Sequence, residues 1–174
     1  MFRPRPSVPL NGRLVTGLVA AGLLAATLTG CSATVSMTPA KHANDPGCAA
    51  VTSRLGLIPA GAVDGQARRW TDAQATGAWG DPEESGTPTT VLLTCGVEVP
   101  GPSTLTCQRV GGVDWLMDDS EAPNYRFTTF GRDPAVEVYL DYDRVSGATV
   151  LNALSSAVGQ LPVTGTECTE RPSS

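Results

Sequence analysis

The chain has 174 residues, 12 Lys and Arg against 17 Asp and Glu, 41% hydrophobic side chains and five cysteines. That length suits one domain with a genuine core. An acidic surface repels nucleic acid and anionic head groups, so a partner held by its phosphate backbone is excluded from the expected functions.

Arg3, Arg5 and Arg13 precede an uncharged apolar run from Leu14 to Leu28, and Leu28-Thr29-Gly30-Cys31 follows directly. A basic n-region, an apolar h-region and small residues at the end make a secretory signal. The run is short of the ~20 residues of a spanning helix. Leu-Thr-Gly-Cys resembles the bacterial lipobox, in which the cysteine thiol receives a diacylglycerol and a peptidase cuts before it. Two acyl chains, at ~0.8 kcal/mol per buried methylene, anchor a chain without a spanning helix. Cleavage would leave nine basic and seventeen acidic side chains, a formal charge near −8. The expected organisation is a signal peptide over 1–30, a lipidated tether over 31–44, one domain over 45–170 and a tail over 171–174. The expected location is the extracytoplasmic face of the cell membrane.

Four cysteines remain: Cys48, Cys95, Cys107 and Cys168. An even number in an exported chain implies disulfides, with three connectivities open. A zinc site needs ligand pairs at close spacing, and neither a C-x-x-C pair nor a neighbouring His exists. No metal or cofactor is expected.

Ser32 to Asn44, with Lys41 and the only His, His42, shows no hydrophobic period and is expected to be a mobile tether. Asp45 and Pro46 can cap and open a helix in which Cys48, Val51 and Leu55 share a face and Gly56 ends it. Thr71 and Gln74 form a capping-box pattern with Trp70 as a staple, predicting a short helix over 72–79. Arg68-Arg69-Trp70 reads as a core Trp with surface arginines rather than as a stacking site. Strands follow: Thr90 to Val97, a turn at Pro100-Gly101-Pro102-Ser103, Leu105 to Val110, a Gly111-Gly112 hairpin and Val113 to Met117. Asp118 to Asn124 reads as a polar connection. Tyr125 to Phe130 and Ala135 to Tyr142 form the last hairpin. Ser146 caps a helix with Val150, Leu151, Leu154, Val158 and Leu161 as its apolar stripe, ended by Pro162. The expected fold is α+β, an antiparallel meander of about five strands with helices on one face.

Several pieces occur in a characteristic order: Asn44-Asp45-Pro46 with Cys48, Arg69-Trp70-Thr71, Ala78-Trp79-Gly80-Asp81-Pro82 and Cys95-Gly96-Val97. Gly112-Val113-Asp114-Trp115 and Gly131-Arg132-Asp133-Pro134-Ala135-Val136-Glu137-Val138 come after them. Together they resemble a family of actinobacterial exported lipoproteins known only as domain of unknown function 3515. The resemblance implies a disulfide-containing envelope lipoprotein and supplies no catalytic residues.

The residues restrict the chemistry further. A Ser-His-Asp site lacks a histidine within the domain and a G-x-S-x-G elbow. Pairing leaves no free thiol there, and Gly111-Gly112 precedes a strand, not a P-loop helix. Asp141-Tyr142-Asp143 begins like a calcium loop, but the third ligand and the glycine are misplaced; a turn role is expected. Glycoside hydrolysis needs carboxyls ~5–9.5 Å apart. Glu137 and Asp141 lie ~13 Å apart along a strand, so a partner carboxylate would have to come from elsewhere.

A turn centred on Gly101 would place Cys95 opposite Cys107, within disulfide reach, leaving Cys48 for Cys168. In the last hairpin, Phe127 faces Val138 and Tyr125 faces Leu140, on the side that the C-terminal helix should cover. The opposite side pairs Arg126 with Tyr139 and Thr128 with Glu137, and sets Asn124 near Asp141. That face is the candidate binding surface. The expected function is a binding or accessory module of the cell envelope, acting on an envelope protein or wall component, with a carboxylate-based glycan hydrolase as the alternative.

Overall fold

The computed structural model describes residues 34–81 and 89–169; Cys31, the apolar run before it and the tail over 171–174 lie outside them. Helix α1 (Pro46–Leu55) starts where expected: the Asp45 carboxylate accepts from Gly47 N at 2.7 Å, Pro46 fills the first turn and Gly56 follows the last. It buries Cys48, Val51 and Leu55. A 3-10 turn at Pro59–Gly61 leads to eight strands. These are β1 (Ala62–Val63), β2 (Gln66–Arg69), β3 (Thr76–Gly80), β4 (Val91–Val97), β5 (Thr106–Val110), β6 (Val113–Glu121), β7 (Asn124–Phe130) and β8 (Ala135–Asp141). Helix α2 (Gly147–Val158) ends the domain, with Ser146 Oγ accepting from Thr149 N at 3.4 Å.

The strands form one antiparallel sheet in the order β1-β2-β3-β4-β8-β7-β6-β5. The α+β class holds, with eight strands in place of about five. Two of the additional strands, β1 and β2, form a hairpin around Asp64 and Gly65, both at positive φ. The third is β3, in the segment expected to be helical. There Ala75 adopts φ 58° and stops any helix before Thr76. Thr76 to Gly80 then carries two glycines, poor helix formers, between two strands that need a partner. The capping-box side chains serve other ends: Gln74 donates to Ala43 O at 3.2 Å, and Thr71 Oγ1 accepts from Thr76 Oγ1 at 2.8 Å. The polar connection over 118–124 is also mostly strand, because β6 runs on to Glu121 and β7 begins at Asn124.

Both helices cover one face. Val51, Leu55, Val150, Leu151, Leu154, Ala157 and Val158 join Leu93, Phe127, Val136, Val138 and Leu140 of the sheet in one core. The expected β7–β8 register is present, with Tyr125 opposite Leu140 and Phe127 opposite Val138. At ~25 cal/mol per Å2 of buried apolar area, this face is the main source of stability.

The disulfides are Cys48–Cys95 and Cys107–Cys168, which overturns the pairing expected from a hairpin at Gly101. That hairpin does not form. The mostly apolar β4 needs cover on both sides and pairs with β3 and β8, while β5 lies at the sheet edge against β6. Residues 98–105 therefore carry the chain from the middle of the sheet to its edge. Cys95 points into the core, where α1 offers Cys48. Cys107 stands opposite Leu116, itself opposite Thr128, on the outer face.

The segment over 34–44 is also corrected, from a mobile tether to part of the domain. Val35 N donates to Trp70 O at 2.8 Å, Asp72 N donates to Val35 O at 3.2 Å, and His42 N donates to Gly96 O at 3.0 Å. The Asp72 carboxylate accepts from Ser36 Oγ and from Met37 N, each at 2.8 Å. Gly96 sits at φ 89° in a β-bulge, and a Cβ there would run into the backbone of His42 and Ala43. Only glycine permits that approach.

Two outcomes check this arrangement. Non-reducing peptide mapping should yield Cys48–Cys95 and Cys107–Cys168 peptides, and a Cys95–Cys107 peptide would contradict the sheet order. Gly96→Ala combines a strained φ with a backbone clash and should cost about 1–3 kcal/mol, read as a Tm lowered by several degrees.

Candidate functional site

Neither of the two described helices covers the outer face of the sheet. Direct partners across β4, β8 and β7 share a face, so Leu92, Tyr139 and Arg126 form one row, and Thr94, Glu137 and Thr128 the next. Glu121 comes in at the end of β6, where a register shift between Asp118 and Glu121 places it opposite Asn124. Met37 closes one side. These residues, Thr128, Asp118 and Asn124 excepted, line a concavity of about 310 Å3, at the small end of ligand sites.

Arg126 is the hub. Its Nη2 donates to Glu121 Oε1 at 3.1 Å, and its Nε lies 3.4 Å from Glu137 Oε2. The second contact is an ion pair without hydrogen-bond alignment, so Nε keeps an unused donor. The guanidinium carbon stands 5.6 Å from the centre of the Tyr139 ring, a cation–π distance. Tyr139 Oη donates to Glu121 Oε2 at 3.1 Å. Among the described residues Glu121 is thus held by two partners, whereas Glu137 is held only by the misaligned contact.

Burial lifts Glu137 above the usual carboxylate range; Arg126 opposes the rise and Glu121 adds to it. Burial also raises the Tyr139 hydroxyl, helped by its bond to Glu121 and by the negative charge there. The cluster carries one cation against two carboxylates, so it suits a ligand presenting a cationic or hydrogen-bond-donating group.

The sequence placed Arg126, Tyr139, Glu137 and Thr128 on one face, and the structure brings the first three together. Thr128 is on the same face beside Glu137, outside the concavity. Asn124 and Asp141 are opposed as expected, and the Asp141 carboxylate accepts from Asp143 N at 3.0 Å in a turn. Glu121, Met37, Leu92 and Thr94 were missed. Reading 118–124 as a loop hid Glu121, and reading 34–44 as a tether hid Met37.

A second polar cluster on this face is structural. Asp114, buried, accepts from Arg109 Nε at 2.7 Å and Nη2 at 3.1 Å, and from Cys168 N at 2.9 Å. The Arg109 bond, ahead of the opposing effect of burial, holds its carboxyl below the usual range. Arg132 Nη1 donates to Gly159 O at 3.0 Å and Leu161 O at 2.6 Å, satisfying carbonyls at the end of α2. Among the described residues no group of three His, Cys, Asp or Glu is placed to hold a metal ion. None of the described helices is long and apolar enough to cross a membrane.

Because burial raises Glu137, the folded chain binds its proton more firmly than the unfolded chain. The stability from this group is complete below its ordinary value of 4.5 and is lost as pH rises through the raised one. Glu137→Gln should therefore melt above the parent at neutral pH and level with it below pH 4.5. Thermal unfolding across that range checks this, and a lower Tm at neutral pH would mean that the Arg126 pairing outweighs burial.

No curated protein and no solved structure matches the chain. The model of the family described as "Protein of unknown function (DUF3515)" matches residues 12–165, and the chain belongs to that family.

Proposed function

We propose that the chain is an extracytoplasmic lipoprotein, anchored by diacylglycerol on Cys31, that serves the cell envelope as a binding or accessory module. The observation that carries the binding role is the cluster of Arg126, Glu121, Glu137 and Tyr139 in a concavity on the face left free by both helices. A carboxylate held by a misaligned contact and a partly exposed ring are the groups that recognise polar partners. The export reading draws support from the signal and lipobox residues and from two disulfides, which persist in oxidising compartments. The partner is an envelope protein or a wall component bearing a cationic or donor group.

A second reading has a specific observation behind it. Glu121 supplies Glu137 with a carboxylate partner from another strand, and burial tunes Glu137 as a general acid would be tuned. Both carboxylates, however, contact the same guanidinium. Arg126 thus occupies the space in which a glycosidic oxygen and an attacking water would have to fit. Binding is the reading that this geometry favours.

Cys31→Ala should block acylation and processing, leaving the precursor uncleaved. Mature-size protein that still fractionates with membranes and incorporates a clickable fatty acid would refute the anchor. The double variant Arg126→Ala, Tyr139→Ala removes partly exposed contacts worth ~0.2–1 kcal/mol each. It should keep secretion and Tm nearly intact while weakening capture of a cross-linked envelope partner. Normal capture by a folded double variant would move the site elsewhere. Release of reducing ends from purified wall glycan, lost in Glu137→Gln, would replace binding with hydrolysis.

A further inference from the structure

Three tryptophans occur in the chain, and two of them, Trp79 and Trp115, are fully buried. Trp70, expected in the core, is instead 76% exposed. It follows β2, the strand beside the short edge strand β1, and its carbonyl accepts from Val35 N at 2.8 Å. A single exposed apolar side chain is ordinary, but Trp70 has company. A Cβ on Gly61 would lie 3.6 Å from that of Arg68, and Ala62 pairs with Ala67. The chain preceding β1 therefore lies at the hairpin end where β2 runs out into Trp70. That stretch holds Leu57, 75% exposed, with Pro59 and Ala60, also exposed. Arg54, exposed on the last turn of α1, accepts from Leu57 N at 2.9 Å through its carbonyl.

The position of this rim along the chain gives it an occupant. Val35, bonded to Trp70, lies four residues from Cys31, a stretch that spans at most ~14 Å when extended. We infer that Trp70, with Leu57 and Pro59, is a membrane-interface contact that seats the β1–β2 edge of the domain on the phospholipid surface. This rests on the lipoprotein reading above. Trp is enriched at the bilayer interface because its ring is apolar and its N–H is wet. A single cation such as Arg54 can lay its stem on the surface and reach a phosphate. The acyl chains supply the affinity, and Trp70 supplies the orientation. The opposite edge, β5 with Cys107–Cys168, then faces away from the bilayer.

Burial of the other two tryptophans makes Trp70 its own reporter. Acylated full-length protein, reconstituted in phosphatidylcholine vesicles, should show a tryptophan emission component shifted to shorter wavelength. Brominated-acyl phosphatidylcholine should quench that component, and aqueous iodide should not. Trp70→Phe should lose the component while keeping its Tm and its flotation with vesicles. Acylated protein that floats while Trp70 stays quenchable by iodide and untouched by bromolipid would overturn this inference and leave the anchor standing. If the unaltered protein purified from its own envelope carries no acyl group on Cys31 and does not float, both readings fall.

Discussion

Cys95 and Gly96 are neighbours on β4, and the structure depends on what this pair holds. The sulfur of Cys95 points into the core and ties β4 to α1 through its disulfide with Cys48. One residue later the strand bulges against β8, and the open surface of Gly96 receives the backbone of His42 and Ala43. The same short stretch thus fixes a helix, a strand register and the path of the N-terminal segment. The disulfide closes a loop with a sequence separation of 47, worth ~4 kcal/mol in the chain-entropy view. Its further effect is positional. With α1 and the segment before it held to β4, Met37 has one place to be, at the wall of the concavity.

The sheet divides its work between its faces. The core face is closed by two helices and one disulfide. The outer face is closed at one side by the segment that carries Cys168, through Cys107–Cys168 and the bond from Cys168 N to Asp114. At the other side lies the segment around Met37, held by Asp72. Between them remain Arg126, Glu137, Tyr139 and Glu121, polar and partly exposed. Several pieces that carry the family resemblance belong to the scaffold: Gly96 as a seat, Asp114 as a staple for the Cys168 segment, Arg132 as a cap for α2. The outer-face cluster shares only Glu137 with them.

Elements whose signal is local were legible in the sequence. Asp45-Pro46 opened α1, Ser146 opened α2, and the alternation over Tyr125 to Tyr142 gave the β7–β8 register and with it three of the site residues. Elements set by distant partners were not. Gly101 suggested a hairpin, yet the strand before it was too apolar to remain beside an edge, and β8, some forty residues on, took the pairing. Thr71 to Gln74 matched a helix start because the pattern is short and the turn that Ala75 makes has no sequence signature. The segment over 34–44 has no hydrophobic period because it is held through backbone hydrogen bonds, which leave no mark on side-chain identity. Its seat, Gly96, was visible only as a glycine in a strand.

The central claim is that this segment is part of the domain and supplies Met37 to the wall of the outer-face concavity. Amide hydrogen exchange of the folded protein tests it most directly. The amides of Val35, Met37 and His42 donate to Trp70, Asp72 and Gly96. They should exchange far more slowly than free amides, with His42 opening no more readily than the end of β4 on which it sits. Exchange of all three at the rate of an unstructured peptide would contradict the account.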